Sequence, residues 1–172
     1  MIEARTTSAE STRALGVAVA NVVEQHDLFL LSGELGSGKT TFAQGFAEGL
    51  GISEQVTSPT FVLLRSYEGR LRLHHVDVYR LENLREVIDI GLLELLDEGG
   101  VALIEWGELA APALPRDLLE VRFTLDDDND ECRTVCFTGV GHKWGIREKM
   151  IAEAVGSWMS PDSAGKEAGT QS

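Results

Sequence analysis

The chain has 172 residues, 43 % of them hydrophobic, enough for one domain with a buried core. Its formal net charge is −13, and residues 82–131 hold 15 of the 28 acids but only 3 of the 15 lysines and arginines; such a surface repels phosphate backbones and excludes a direct, high-affinity nucleic-acid binder. Two cysteines exclude a disulfide framework, no apolar run approaches the ~20 residues of a membrane span, and the opening MIEARTTSAE lacks the regions of a secretory signal, so the cytoplasm is the expected compartment.

Ile2–Arg5 reads as a short strand. Thr7 and Glu10 have capping-box spacing ahead of an apolar-rich segment, which predicts a helix from about Ser8 to Gln25. Leu28–Ser32 is a short apolar run of the kind a buried parallel strand shows. A glycine-rich loop follows, and Lys39–Leu50 is helical until Gly51 ends it. Thr57-Ser58-Pro59-Thr60 breaks the pattern. Phe61–Tyr67 and Leu71–Val78 predict a hairpin closed by Glu68-Gly69-Arg70. Leu81–Leu96 alternates helical and glycine-broken pieces, and Val101–Glu105 is another apolar strand. Leu119–Leu125 and Cys132–Phe137 flank an acidic turn and predict a second hairpin; Gly145–Met159 predicts a last helix. The order strand, loop, helix, then hairpins implies an α/β fold with a mixed, partly antiparallel sheet flanked by helices. The expected division is a main α/β domain over 1–141, a helical extension over 142–159 and a disordered tail over 160–172.

The loop reads GELGSGKTT, residues 33–41. Gly33, Gly38, Lys39 and Thr40 satisfy G-x-x-x-x-G-K-[ST]. Glycines let backbone N–H groups turn toward a β-phosphate with no Cβ in the way. The next helix offers its N-terminal amides and positive dipole end. Lys39 brings a charge to the β- and γ-oxygens, and the Thr40 hydroxyl can ligate Mg²⁺. The expected nucleotide contacts are Gly33, Glu34, Leu35, Gly36, Ser37, Gly38, Lys39, Thr40 and Thr41.

Hydrolysis needs more: a carboxylate for the hydrated metal and a group that orients the attacking water. Glu105 and Asp77 each end an apolar strand, where open α/β sheets hold ligands. Together they invite one role apiece. The TSPT segment stands where switch-type nucleotidases sense the γ-phosphate. His74 and His75 are adjacent, so on a strand they point to opposite faces and cannot form one site; no role is assigned to either. Cys132 and Cys136 share a strand face with no second ligand pair, which argues against zinc.

GELGSGKTT, VTSPTF, HHVDVYRL and IEWGE, in this order and spacing, resemble the TsaE family, also called YjeE, of small bacterial P-loop ATPases. The resemblance runs from the first helix to the second hairpin. It implies an ATP-hydrolysing subunit needed to form N6-threonylcarbamoyladenosine in tRNA, next to the anticodon, in tRNAs reading codons that begin with adenine. It further implies that the chain acts on a complex of the TsaD and TsaB proteins, meets tRNA only through them, and does not perform the transfer. By motif, Lys39 and Thr40 inherit phosphate and Mg²⁺ contact, and Glu105 the metal carboxylate. Asp77 would serve catalysis with Lys39, Thr60 would belong to the switch, and Arg133 would lie near the nucleotide. Arg80 and Trp106 match motif positions without an assigned job.

Three other readings compete. A small-molecule kinase would bring several arginines to its acceptor, whereas residues 82–131 supply only Arg85, Arg116 and Arg122. A regulatory GTPase would carry Asn-Lys-x-Asp, but none of the four lysines follows an asparagine. A nucleotide-gated binding module with negligible hydrolysis of its own is the third.

Overall fold

The computed structural model describes residues 1–59, 63–89, 91–106 and 111–159. The tail expected over 160–172 lies outside them, as does Thr60. Seven strands form one sheet in the order β1-β7-β6-β2-β5-β4-β3. The strands are β1 (Ile2–Thr6), β2 (Leu28–Ser32), β3 (Leu64–Tyr67), β4 (Leu73–Asp77), β5 (Val101–Glu105), β6 (Leu118–Leu125) and β7 (Arg133–Val140). The helices are α1 (Ala9–Ala20), α2 (Lys39–Gly49), α3 (Leu84–Asp89), α4 (Leu92–Asp97) and α5 (His142–Ala154). β2 runs parallel to β5 and β6, and β4 parallel to β5; the pairs β3–β4, β6–β7 and β1–β7 are antiparallel. The fold is therefore α/β with a mixed sheet, as the sequence predicts.

Burial explains the two halves of that sheet. β4 and β5 are buried at every position, as strands covered on both faces are; β5 is accordingly apolar until Glu105, while β4 also buries His74 and His75, each with a polar partner. β1 and β6 alternate buried with exposed residues, because one of their faces meets solvent. Phe29, Leu31, Leu73 and Leu103 point into a core with Leu15, Val19, Phe42, Phe46 and Trp144 from α1, α2 and α5. Leu28, Leu30, Val76 and Ile104 point the other way, onto Leu92 and Leu96 of α4.

Several boundaries differ from the sequence reading. The cap of α1 is Ser8, one residue later than the expected Thr7: its Oγ accepts the Ser11 N–H at 3.0 Å. α1 stops at Ala20 rather than Gln25, because Arg70 takes the Ala20 carbonyl and Arg147 that of Val22. α5 begins at His142 and gives way to a 3₁₀ turn at Gly156. Trp144 of α5 is fully buried, edge-on to Phe29. Arg147 bonds both oxygens of the buried Asp27 carboxylate, and Lys143 pairs with it at 2.7 Å, so α5 is clasped to the corner before β2.

α1 and α2 pack backbone to backbone. A Cβ on Gly45 would collide with the Arg13 carbonyl oxygen, and one on Gly16 with that of Phe42. Gly45→Ala should accordingly push the helices apart and cost about 2 kcal/mol, read as a lower urea midpoint; an unchanged midpoint would contradict this packing.

Candidate functional site

Residues 33–38 bridge the end of β2 and the start of α2. Gly33, Gly36 and Gly38 all have positive φ, at 141°, 80° and 106°, a backbone that L side chains rarely adopt. Gly38 is the residue before α2, and no side chain caps that helix. Its first amides face a cleft of about 340 Å³. Leu35, Gly36, Gly38, Lys39, Thr40 and Thr41 line it from the loop; Asp77, Glu105, Trp106 and Arg133 line it from the strand ends.

Lys39 is 4 % exposed. Its ammonium donates to the carbonyls of Gly33 at 2.7 Å and Glu34 at 2.9 Å, and lies 3.5 Å from Ser37 Oγ. Gly33, Glu34 and Ser37 thus serve the lysine directly. The same ammonium sits 3.9 Å from the centroid of the Trp106 ring, a cation–π contact. Trp106 follows β5 with φ at 61°, strained for a bulky residue, and its ring packs on Tyr79 with centroids 4.7 Å apart. Arg80, in the same turn as Tyr79, is exposed.

The two strand-end acids meet here. β4 and β5 pair in parallel with Asp77 opposite Glu105, both buried. Thr40 Oγ1 donates to Glu105 at 3.2 and 3.3 Å, so the first turn of α2 touches the end of β5. Asp77 Oδ2 accepts the Ser58 hydroxyl at 2.9 Å, and its Oδ1 accepts the Tyr79 N–H at 2.9 Å. Arg133 opens β7 beside the loop: a Cβ on Gly38 would lie 3.4 Å from its Nε. Arg133 Nη1 is buried with no hydrogen-bond partner among the described residues. A guanidinium nitrogen left so, next to a bare run of amides, suits an anion.

The model for the threonylcarbamoyl adenosine biosynthesis protein TsaE matches residues 6–135, a span that contains the loop, both acids and Arg133. The chain belongs to the TsaE family. It is 42 % identical over 141 residues to the tRNA threonylcarbamoyladenosine biosynthesis protein TsaE of Bacillus subtilis, covering 81 % of this chain and 87 % of that one. Against the protein of the same name from Treponema pallidum it is 46 % identical over 125 residues, covering 72 % and 93 %. The crystal structure of Bacillus subtilis YdiB superposes with a TM-score of 0.76 at 35 % identity, covering 88 % of this chain and 94 % of the other.

Within this TsaE-family site, sequence reasoning missed three residues. Ser58 of the TSPT segment donates to a site carboxylate, that of Asp77. Tyr79 supplies both an amide to Asp77 and a ring to Trp106. His75 Nε2 lies 2.8 Å from Glu105 Oε1. The signal for His75 was present: it stands two residues before Asp77 and so shares its strand face. Cys132 and Cys136 are both free, and burial pushes the Cys136 thiol up from its ordinary value.

Proposed function

We propose that the chain binds and hydrolyses ATP in a magnesium-dependent way, as a subunit required for forming N6-threonylcarbamoyladenosine in tRNA. The relatives' names supply the pathway. One observation carries the ATPase reading: Lys39, Thr40, Glu105 and Asp77, from α2, β5 and β4, converge on one cleft beside the glycine loop. The loop amides and the α2 N-terminus would hold the polyphosphate, with Arg133 on the side nearer α1. Thr40 and Glu105 would hold Mg²⁺ together with phosphate and water oxygens. Among the described residues no group of three or more His, Cys, Asp or Glu could hold a metal alone, which suits an ion shared with its nucleotide. When bound, the ion neutralises charge on the β- and γ-oxygens. Asp77, fixed by Ser58 and the Tyr79 amide, would orient the attacking water. Thr60 would act with the TSPT segment as a γ-phosphate sensor.

The reading extends to partners. The chain would act on the TsaD–TsaB complex in the cytoplasm and leave the transfer to it, meeting tRNA only through those proteins. No described helix is long and apolar enough to cross a membrane. α3 and α4 expose Ile88 and Leu93 among Arg85, Glu86, Asp89, Glu94, Asp97 and Glu98, a face suited to a basic partner. Reversing Glu94 and Asp97 to lysine should lower recovery of TsaD–TsaB in a pull-down several-fold; undiminished recovery would exclude this face.

ATP turnover tests the whole: the chain should release phosphate with no added acceptor, and faster with TsaD–TsaB present. Phosphate transfer only when a small acceptor is supplied would favour a kinase instead. Glu105→Gln should raise the magnesium concentration needed for half-maximal turnover about tenfold, leaving nucleotide binding in EDTA unchanged. An unaltered magnesium requirement would remove Glu105 from the metal site.

A further inference from the structure

We infer that His75 is a positioning residue for Glu105: its Nε2–H fixes the carboxylate so that the opposite side of the group is presented to Thr40 and to a divalent ion. The inference rests on the reading of Glu105 as the metal carboxylate.

His75 lies in the middle of β4, opposite Leu103 of β5, while Glu105 lies one step further along the same sheet face. The ring therefore reaches diagonally across the strand pair to Glu105 Oε1, at 2.8 Å, with the side chains 0 % and 3 % exposed. Behind this contact there is no solvent to hold the carboxylate. In front of it stands Thr40 Oγ1, within 3.3 Å of both oxygens. A carboxylate on a two-torsion stem would otherwise rotate about its terminal bond, and a metal ligand must be held in one orientation.

The geometry also specifies which nitrogen carries the proton. An ionised carboxylate only accepts, so Nε2 must donate. Nδ1 of the same ring is buried and has no partner among the described residues. A ring whose one proton sat on Nδ1 would strand a donor there and face Glu105 with a second acceptor, so the contact requires the proton on Nε2. His74 makes the contrast. It points to the other sheet face, where Nδ1 meets Ser66 Oγ at 2.8 Å and Nε2 meets the Gly99 carbonyl at 3.1 Å.

Three variants of the full chain separate donor from bulk. His75→Gln places an amide NH₂ near the Nε2 position, His75→Asn holds one too short to reach, and His75→Leu removes it. The probe is Mn²⁺, followed by electron paramagnetic resonance with ATP present, beside ATP affinity measured in EDTA. Leu and Asn should weaken Mn²⁺ uptake 10- to 100-fold, Gln should stay within about threefold of wild type, and ATP affinity in EDTA should not move. In the unliganded wild type, ring ¹⁵N shifts should report a proton on Nε2. Mn²⁺ uptake by the Leu variant equal to that of wild type, or a Gln variant as weak as Leu, would overturn the inference, as would an Nδ1–H tautomer. A wild-type chain that binds ATP but takes up no Mn²⁺ would overturn the metal reading of Glu105 and the inference with it.

Discussion

Lys39→Ala is expected to lower ATP affinity about 100-fold or more, equivalent to roughly 3 kcal/mol. The ammonium is held by the carbonyls of Gly33 and Glu34 and by the Trp106 ring. Those contacts keep a full charge 4 % exposed at the lip of the cleft, at a desolvation cost that a phosphate would offset. Removing the charge leaves the amides of the loop and Arg133 to face the polyphosphate alone. The loss should fall mainly on nucleotides with β- and γ-phosphates, with AMP little affected. Displacement of a fluorescent ATP analogue gives the numbers. Wild-type affinity in the variant would mean that the polyphosphate lies elsewhere.

Asp77→Asn should leave ATP binding within a few-fold of wild type and slow hydrolysis about 10³-fold. The amide is nearly isosteric: its oxygen can keep the Tyr79 N–H, and the Ser58 hydroxyl, which met the other carboxylate oxygen, can turn to accept from the new NH₂, so the segment after Val56 and the turn after β4 should keep their places. What disappears is the negative charge that would polarise the attacking water. Single-turnover measurements in the presence of TsaD–TsaB isolate that step from product release. Normal single-turnover rates would show that Asp77 serves structure only, and would shift the search for the water-orienting group to Glu105 or to a partner.

Local pattern made the centre of this site readable in the sequence, and sheet register hid its supports. The loop is a contiguous motif whose glycines announce their own backbone angles, and β4 and β5 are short strands that each end in an acid, so Asp77 and Glu105 could be named as lining one cleft. Their adjacency needed only the rule that parallel strand ends share a rim. The contact of His75 with Glu105 spans 30 positions and depends on the β4–β5 register, which no local pattern encodes. Trp106 is similar: IEWGE marks it, but a left-handed tryptophan stacked between Tyr79 and Lys39 is a tertiary outcome. The last helix was misjudged in its start because Gly141 and His142 carry no N-cap side chain. Its role at the core follows from Trp144 and from the Arg147 contact with Asp27, 120 residues away.

Titration calorimetry of the full-length chain with ATP, with and without magnesium, bears most directly on the central claim. Saturable one-to-one heat with ATP and with ADP, tightened by magnesium and lost in Lys39→Ala, is the predicted result. A flat titration with both nucleotides in the presence of magnesium would contradict the account at its root.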